Sequence, residues 1–252
     1  MLRTISKYTA LSGLMMTAFT VCVHAYESDG KQAFSYTYIE GGYLNRRNND
    51  VSPFAGAPLA ANVDAGNGDG FFLRGSLNLI GGLYIYGAYE EDKSVYDLSA
   101  PIDGEVFSGE FDVRYRSRRA GLGFHTKITD NADVFVQAGL TYSSFLSTSQ
   151  NVTRSSDGAS LTVDLRESRT QYAANAEVGA RVWAAGKLEL AGSAIWREAQ
   201  AIDSLSTDNV MLGNDFGGRA EARFHISQSF SLSAEYERTS MDRFLIAARV
   251  QF

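Results

Sequence analysis

The last ten residues, Arg243 to Phe252, constrain this 252-residue chain more than any other stretch. Taken alternately, they put Phe244, Ile246, Ala248, Val250 and Phe252 on one face and Arg243, Leu245, Ala247, Arg249 and Gln251 on the other. A strand with an unbroken apolar face, a mostly polar reverse and an aromatic end suits the edge of a sheet in water poorly. It suits a strand with lipid on one side and the polar interior of a barrel on the other. A barrel that closes at its last strand also leaves no unpaired backbone edge for hydrocarbon to strand without hydration.

The other end of the chain agrees. Arg3 and Lys7 precede an uncharged apolar stretch from Tyr8 to Val23, and Val23-His24-Ala25 offers small residues at the two positions a signal peptidase reads. The stretch is too short and too weakly flanked for a spanning anchor. The reading is a cleaved secretory signal over residues 1–25 and a barrel over residues 26–252. Cys22 raises lipidation as an alternative, but Val21 stands where a lipobox wants a small residue. Without the leader the chain has no cysteine, hence neither disulfides nor a thiol-metal site, and no cofactor is expected.

Composition narrows the class further. Removing Arg3 and Lys7 with the leader takes the net charge from -6 to -8, which gives no electrostatic reason to bind nucleic acid. Mean hydropathy is -0.17, and no later segment approaches the roughly 18 uninterrupted apolar residues of a spanning helix. Three prolines against 24 glycines, with 13 tyrosines and 15 phenylalanines, suit strands and aromatic girdles.

Alternating segments then predict an all-β, transmembrane, antiparallel up-and-down barrel of ten strands. They fall at about 33–45, 71–79, 83–90, 112–126, 133–145, 169–183, 187–198, 217–226, 230–238 and 243–252. The expected outward residues include Thr37, Ile39, Gly41 and Tyr43 on the first strand and Phe71, Leu73, Leu77 and Leu79 on the second. Short connections at 81–82, 128–132, 184–186 and 227–229 alternate with long ones at 46–68, 91–111, 146–168 and 199–215, and with a brief one at 239–242. Tight periplasmic turns and longer extracellular loops follow that rule, with both termini in the periplasm. An eight-stranded count is the alternative. A soluble sandwich or lipocalin would explain the alternation, but not outward apolar faces on every strand together with the leader and the terminal Phe.

The inward faces carry Glu40, Arg74, Glu90, Arg119, Glu177, Arg181, Glu189, Arg197, Arg219, Glu221, Arg223, Glu235, Glu237 and Arg249. Acids and bases in near-equal number inside a narrow lumen should pair, because an unpaired buried charge costs several kcal/mol. A salt-bridged, plugged interior is expected, and a narrow pore for small solutes or ions is the alternative. His125 and His225 both precede short turns, at the periplasmic rim. Ten-stranded outer-membrane proteases and lipid A acyl-modifying barrels carry their essential His towards the opposite end. A general base must reach its partner, and the sequence names none here, so catalysis is not expected. Arg114, Arg116 and Arg118, beside Arg119, cluster towards the extracellular end of the fourth strand, where they are candidates to hold lipopolysaccharide phosphates. The polar stretches Asn48-Asn49-Asp50 and Asp64 to Asp69 match no calcium-loop spacing and read as solvated loops, where an unknown extracellular partner would dock.

Two resemblances add to this. The terminal alternation ending on Phe252 resembles the signal by which bacterial outer-membrane barrels engage their assembly machinery, with Phe244, Ile246, Ala248 and Val250 as its other elements. Ser35-Tyr-Thr-Tyr-Ile-Glu-Gly-Gly-Tyr43 and Asp69-Gly-Phe-Phe-Leu-Arg-Gly-Ser76 resemble a family of small outer-membrane β-barrels known from xanthomonads, within the broader group of small OmpA-like and opacity-type barrels. That resemblance implies the fold and an integral outer-membrane location. It implies no activity: the family has been connected with quorum sensing and vesicles, and it supplies no catalytic residues to transfer.

Overall fold

Ten strands, each hydrogen-bonded to the next and the last to the first, close into a barrel in the computed structural model, which describes residues 34–48, 62–64, 67–102, 105–147, 150–154, 158, 160–163, 168–201, 215–239 and 241–252. The expected signal segment and Cys22 lie outside these residues. The barrel strands are β1 (Tyr38–Asn48), β2 (Asn67–Asn78), β3 (Leu83–Ile102), β4 (Glu105–Thr129), β5 (Ala132–Ser147), β6 (Ser168–Ala185), β7 (Leu188–Ala201), β8 (Asp215–His225), β9 (Phe230–Arg238) and β10 (Met241–Gln251). Every neighbouring pair is antiparallel, and β1 pairs β10 from Tyr38↔Gln251 to Asn48↔Met241. Ten strands are therefore correct and eight are not.

The faces divide by a period of two. On β10, Met241, Arg243, Leu245, Ala247 and Arg249 are buried in the lumen, while Phe244, Ile246 and Val250 face outward. Large apolar side chains that would be anomalous on a water-soluble surface cover the outside of all ten strands, among them Leu77, Leu122, Leu140, Val178, Leu190, Leu232 and Ile246. This apolar belt around a polar interior is the architecture of a transmembrane β-barrel.

An aromatic ring marks one border of the belt. Tyr43, Phe71, Tyr89, Tyr142, Tyr172, Trp196, Phe216, Tyr236 and Phe244 lie on the outward faces of nine different strands. Neighbours meet as the cross-strand pairs Tyr43↔Phe71, Tyr142↔Tyr172, Trp196↔Phe216 and Tyr236↔Phe244. Going round the barrel, direct cross-strand partners climb by about twelve residues per circuit, the stagger that tilted strands require. The aromatic positions step back by the same amount, so the nine rings share one height. β4 alone has no aromatic residue there; Arg118 occupies that place, between Tyr89 and Tyr142. Towards the other border lie Phe124, Phe224, Phe230 and Phe252. Phe244 and Phe252 are separated by about 27 Å of strand.

One end of the barrel is made of tight turns. Gly81 and Gly82 have φ of 60° and 86°, the left-handed conformations that a two-residue reversal needs and glycine supplies without a Cβ clash. The opposite end is uneven. The expected loop at 91–111 is overturned: β3 and β4 stay paired from Leu83↔Phe124 up to Ile102↔Glu105, a hairpin standing roughly 40 Å of paired strand beyond the girdle. Short strands flank it, Asn62–Asp64 on β3 and Gln150–Arg154 on β4, with Ser160–Val163 paired outside the latter. The sequence hid this because, above the belt, hydropathy no longer alternates. Main-chain hydrogen bonds carry the pairing, and they leave no side-chain signature. The expected loop stretch at 46–68 likewise contains the top of β1 and the start of β2, with Asn49 and Asp50 outside the described residues.

Candidate functional site

Ion pairs run through the lumen along its length. All fourteen charges expected inside belong to it, as does Arg243 on the polar face of the terminal strand, and the structure adds Arg46, Asp92 and Asp133. The described lumen then holds nine arginines and nine carboxylates, and no lysine; Lys93, Lys127 and Lys187 are all exposed. Arginine suits this role because its planar fork can bridge two or three carboxylates, where an ammonium serves as a point charge.

The pairs connect end to end. At the hairpin end Arg46 lies 2.8 Å from Asp92 and 3.8 Å from Glu90. Glu90 accepts from Arg243 at 2.5 Å, and Arg243 also reaches Glu237 at 3.1 Å. Glu237, fully buried, also accepts from Arg197 at 2.5 Å and Arg219 at 2.8 Å. Arg219 in turn bridges to Glu177 at 3.1 Å and Glu235 at 3.0 Å, and Glu235 passes to Arg74 at 2.6 Å. Glu40 is the next hub: it takes Arg74 at 2.8 Å, Arg249 at 2.6 Å and the Ser233 hydroxyl at 2.9 Å, with Arg223 at 3.6 Å. Arg223 also pairs with Glu221 and lies 3.6 Å from Glu189, which faces Arg181 at 3.3 Å. Arg119, on the inner face of β4, stands in the field of Glu90 and Glu237. An apolar patch of Leu44, Phe72, Leu245 and Ala247 interrupts the charges on the β1–β2–β10 wall.

At the turn end, aromatic residues stopper the lumen. The segment before β1 carries Phe34 and Tyr36 inward, both buried, against strands of the opposite wall. Tyr36 stacks on His125 with ring centroids 3.7 Å apart and donates a 2.9 Å hydrogen bond to Asp133. The Arg181 guanidinium lies 4.0 Å from the Tyr36 ring and 5.0 Å from Phe34, and Phe34 stacks on Trp183 at 5.7 Å. Tyr84 and Tyr86 lie flat across β4 because the residues directly opposite are Gly123 and Gly121. A Cβ on Gly123 would fall 2.1 Å from the Tyr84 ring. Above this layer sits a small space of about 80 Å³ bordered by five arginines and by Glu177 and Glu221.

Both histidines lie inside the barrel at the turn end, as read. Their isolation is corrected: His225 Nε2 is 3.0 Å from Glu189, and His125 Nδ1 is 3.4 Å from Asp133. Trp183 closes on His225 at 4.6 Å. These pairings were invisible in sequence because they depend on which strands the stagger brings together. The three candidate lipid-contact arginines, by contrast, lie on the outward face of β4, and Arg119 points in. Phe244, Ile246, Ala248 and Val250, the residues of the expected assembly signal, share the outer face of β10. Phe252 extends the seam past the last strand residue, its N–H donating to the Thr37 carbonyl at 3.0 Å.

No family model and no curated protein matches the sequence. Solved structures do resemble the fold. The translocator domain of the autotransporter NalP from Neisseria meningitidis aligns at TM-score 0.47 and 9% identity over 99% of this chain and 98% of that one. OprG from Pseudomonas aeruginosa aligns at 0.40 and 10%, covering 88% and 98%. Ail, the attachment invasion locus protein of Yersinia pestis, aligns at 0.36 and 15%, covering 86% and 97%.

Proposed function

We propose that this chain is an integral outer-membrane barrel with a shut lumen, and that its work is done on the outside. In this reading the tight turns and both termini face the periplasm, and the tall β3–β4 hairpin with its flanking strands stands on the cell surface as a structural or partner-contacting element. The role is non-enzymatic. The observation that carries the reading is the continuous ion-pair network from Asp92 to Asp133, ending on the aromatic stopper. Opening a water path would separate matched buried charges, each costing several kcal/mol to isolate. The terminal strand, ending on Phe252, would be the segment presented to the barrel assembly machinery. Membership of the xanthomonad barrel family, implied by Ser35–Tyr43 and Asp69–Ser76, belongs to the same proposal and adds no activity.

Planar-bilayer recording on the refolded barrel tests this, with folding confirmed by the gel shift between unheated and heated samples. Wild type is expected to pass no steady current, and a Phe34→Ala, Tyr36→Ala double variant to leak. The space above the stopper favours a second reading, a narrow pore for small anions. A reproducible wild-type current that changes with Glu235→Gln or Arg249→Gln would establish that reading instead.

A further inference from the structure

On the outside of the barrel, β4 carries a ladder of guanidinium groups at a height the aromatic girdle fixes. Arg118 fills the single gap in that ring, directly opposite Tyr89 and Tyr142. Arg116 and Arg114 follow on the same face, about 7 and 14 Å further along the strand and away from the apolar belt. Their side chains are 42% and 47% exposed. Among the described outward side chains of β3 and β4 at this level, Lys93 is taken by Asp112 at 2.7 Å. Glu91 alone serves the ladder, 3.0 Å from Arg116 and 3.7 Å from Arg114. Among the described side chains, one carboxylate for three guanidiniums leaves positive charge in excess, in contrast with the charge-matched lumen a few ångströms behind the same strand.

Snorkelling would account for one arginine reaching past the girdle from within the belt. It does not account for two more above it, already at headgroup level. A guanidinium fork matches the oxygens of a phosphate in two parallel hydrogen bonds, and phosphates are the anions that lie just above the apolar layer of a membrane. We propose that Arg114, Arg116 and Arg118 clamp the phosphate groups of lipopolysaccharide in the outer leaflet. Arg118 sits at the acyl-headgroup boundary and the other two address successive phosphate oxygens. Glu91 is the internal competitor that sets how tightly the ladder holds. This site rests on the outer-membrane reading and on the hairpin end facing out.

The test uses the full folded barrel inserted into phosphatidylcholine vesicles, with and without added lipid A, followed by native mass spectrometry of the extracted protein. Wild type is expected to retain lipid A. R114Q/R116Q/R118Q should retain roughly tenfold less, the scale of losing several charge-assisted contacts together. Glu91→Gln should retain more. Retention equal in wild type and the triple variant, both shown folded by gel shift, overturns the clamp. So does equal retention of dephosphorylated lipid A. Complete displacement of lipid A by inorganic phosphate would mean a free-anion site and would overturn the lipid assignment. Failure of the wild type to insert into either vesicle would instead remove the membrane reading on which the clamp rests.

Discussion

At the scale of single residues, Glu40 decides most. Its two oxygens hold Arg74, Arg249 and Ser233, on β2, β10 and β9, so one carboxylate on β1 ties together strands on both sides of the closing seam. Glu40→Ala should lower stability by about 3–5 kcal/mol, because it leaves buried guanidiniums without their counter-charge. The drop would appear as an earlier midpoint when heat-modifiability is followed on gels, and an unchanged midpoint would contradict the hub. Gly123→Val acts by a different route. Its side chain meets the Tyr84 ring, so Tyr84 must leave the stopper or β4 must shift. Overpacking of this kind costs about 1–3 kcal/mol, and Gly123→Val with Tyr84→Ala should recover part of it in the same assay.

At the scale of elements, β10 states the rule for the whole wall. Ala248 faces the belt, whereas Gln251 shares the inward face of Arg249 at the turn end, so Ala248→Arg should cost about 2–4 kcal/mol and Gln251→Arg little. Folding titrations in lipid vesicles would separate the two, and equal effects would refute the assignment of faces. Deleting Phe252 should reduce barrel levels in the membrane more than any change in the hairpin above the girdle, since it removes the Thr37 seam bond as well as the terminal ring. Strand faces were readable in sequence because a period of two is local: Tyr43, Phe71 and Leu73 declare their side without reference to any partner. The upper halves of β3 and β4 were not, because outside lipid there is no reason for one face to be apolar. Arg46 and Asp92 were missed for the same cause, lying in stretches read as loops.

At the scale of the molecule, the stagger turns ten local patterns into one object. It aligns the nine girdle rings at a single height, and it brings Arg219 on β8 to Glu177 on β6 and Arg243 on β10 to Glu90 on β3. Inward charge was legible residue by residue, whereas who pairs with whom was not, since that follows from strand number, tilt and closure together. The stopper was equally hidden: Phe34 and Tyr36 read as the start of a strand, and nothing local says that they cross to His125 and Trp183. A shut lumen built this way should resist exchange throughout. Amide hydrogen exchange is expected to be slowest on β8 to β10 and β1, where Glu40, Glu235 and Glu237 converge, and fastest in the hairpin beyond the girdle. Uniform protection along β3 would argue against that division.

The preference for arginine inside leaves the three described lysines as a set of natural orientation markers. Lys93 is exposed beside the guanidinium ladder at the hairpin end, while Lys127 and Lys187 are exposed at the turn end. An amine-directed reagent that cannot cross the membrane therefore finds no lysine in the described lumen and reads, among these three, only which end it meets. Applied to intact cells, it should mark Lys93 and spare Lys127 and Lys187 until the membrane is opened, as peptide mass mapping would record. The reverse pattern would turn the barrel over. Either way, the unaltered chain reports its own direction without an engineered tag.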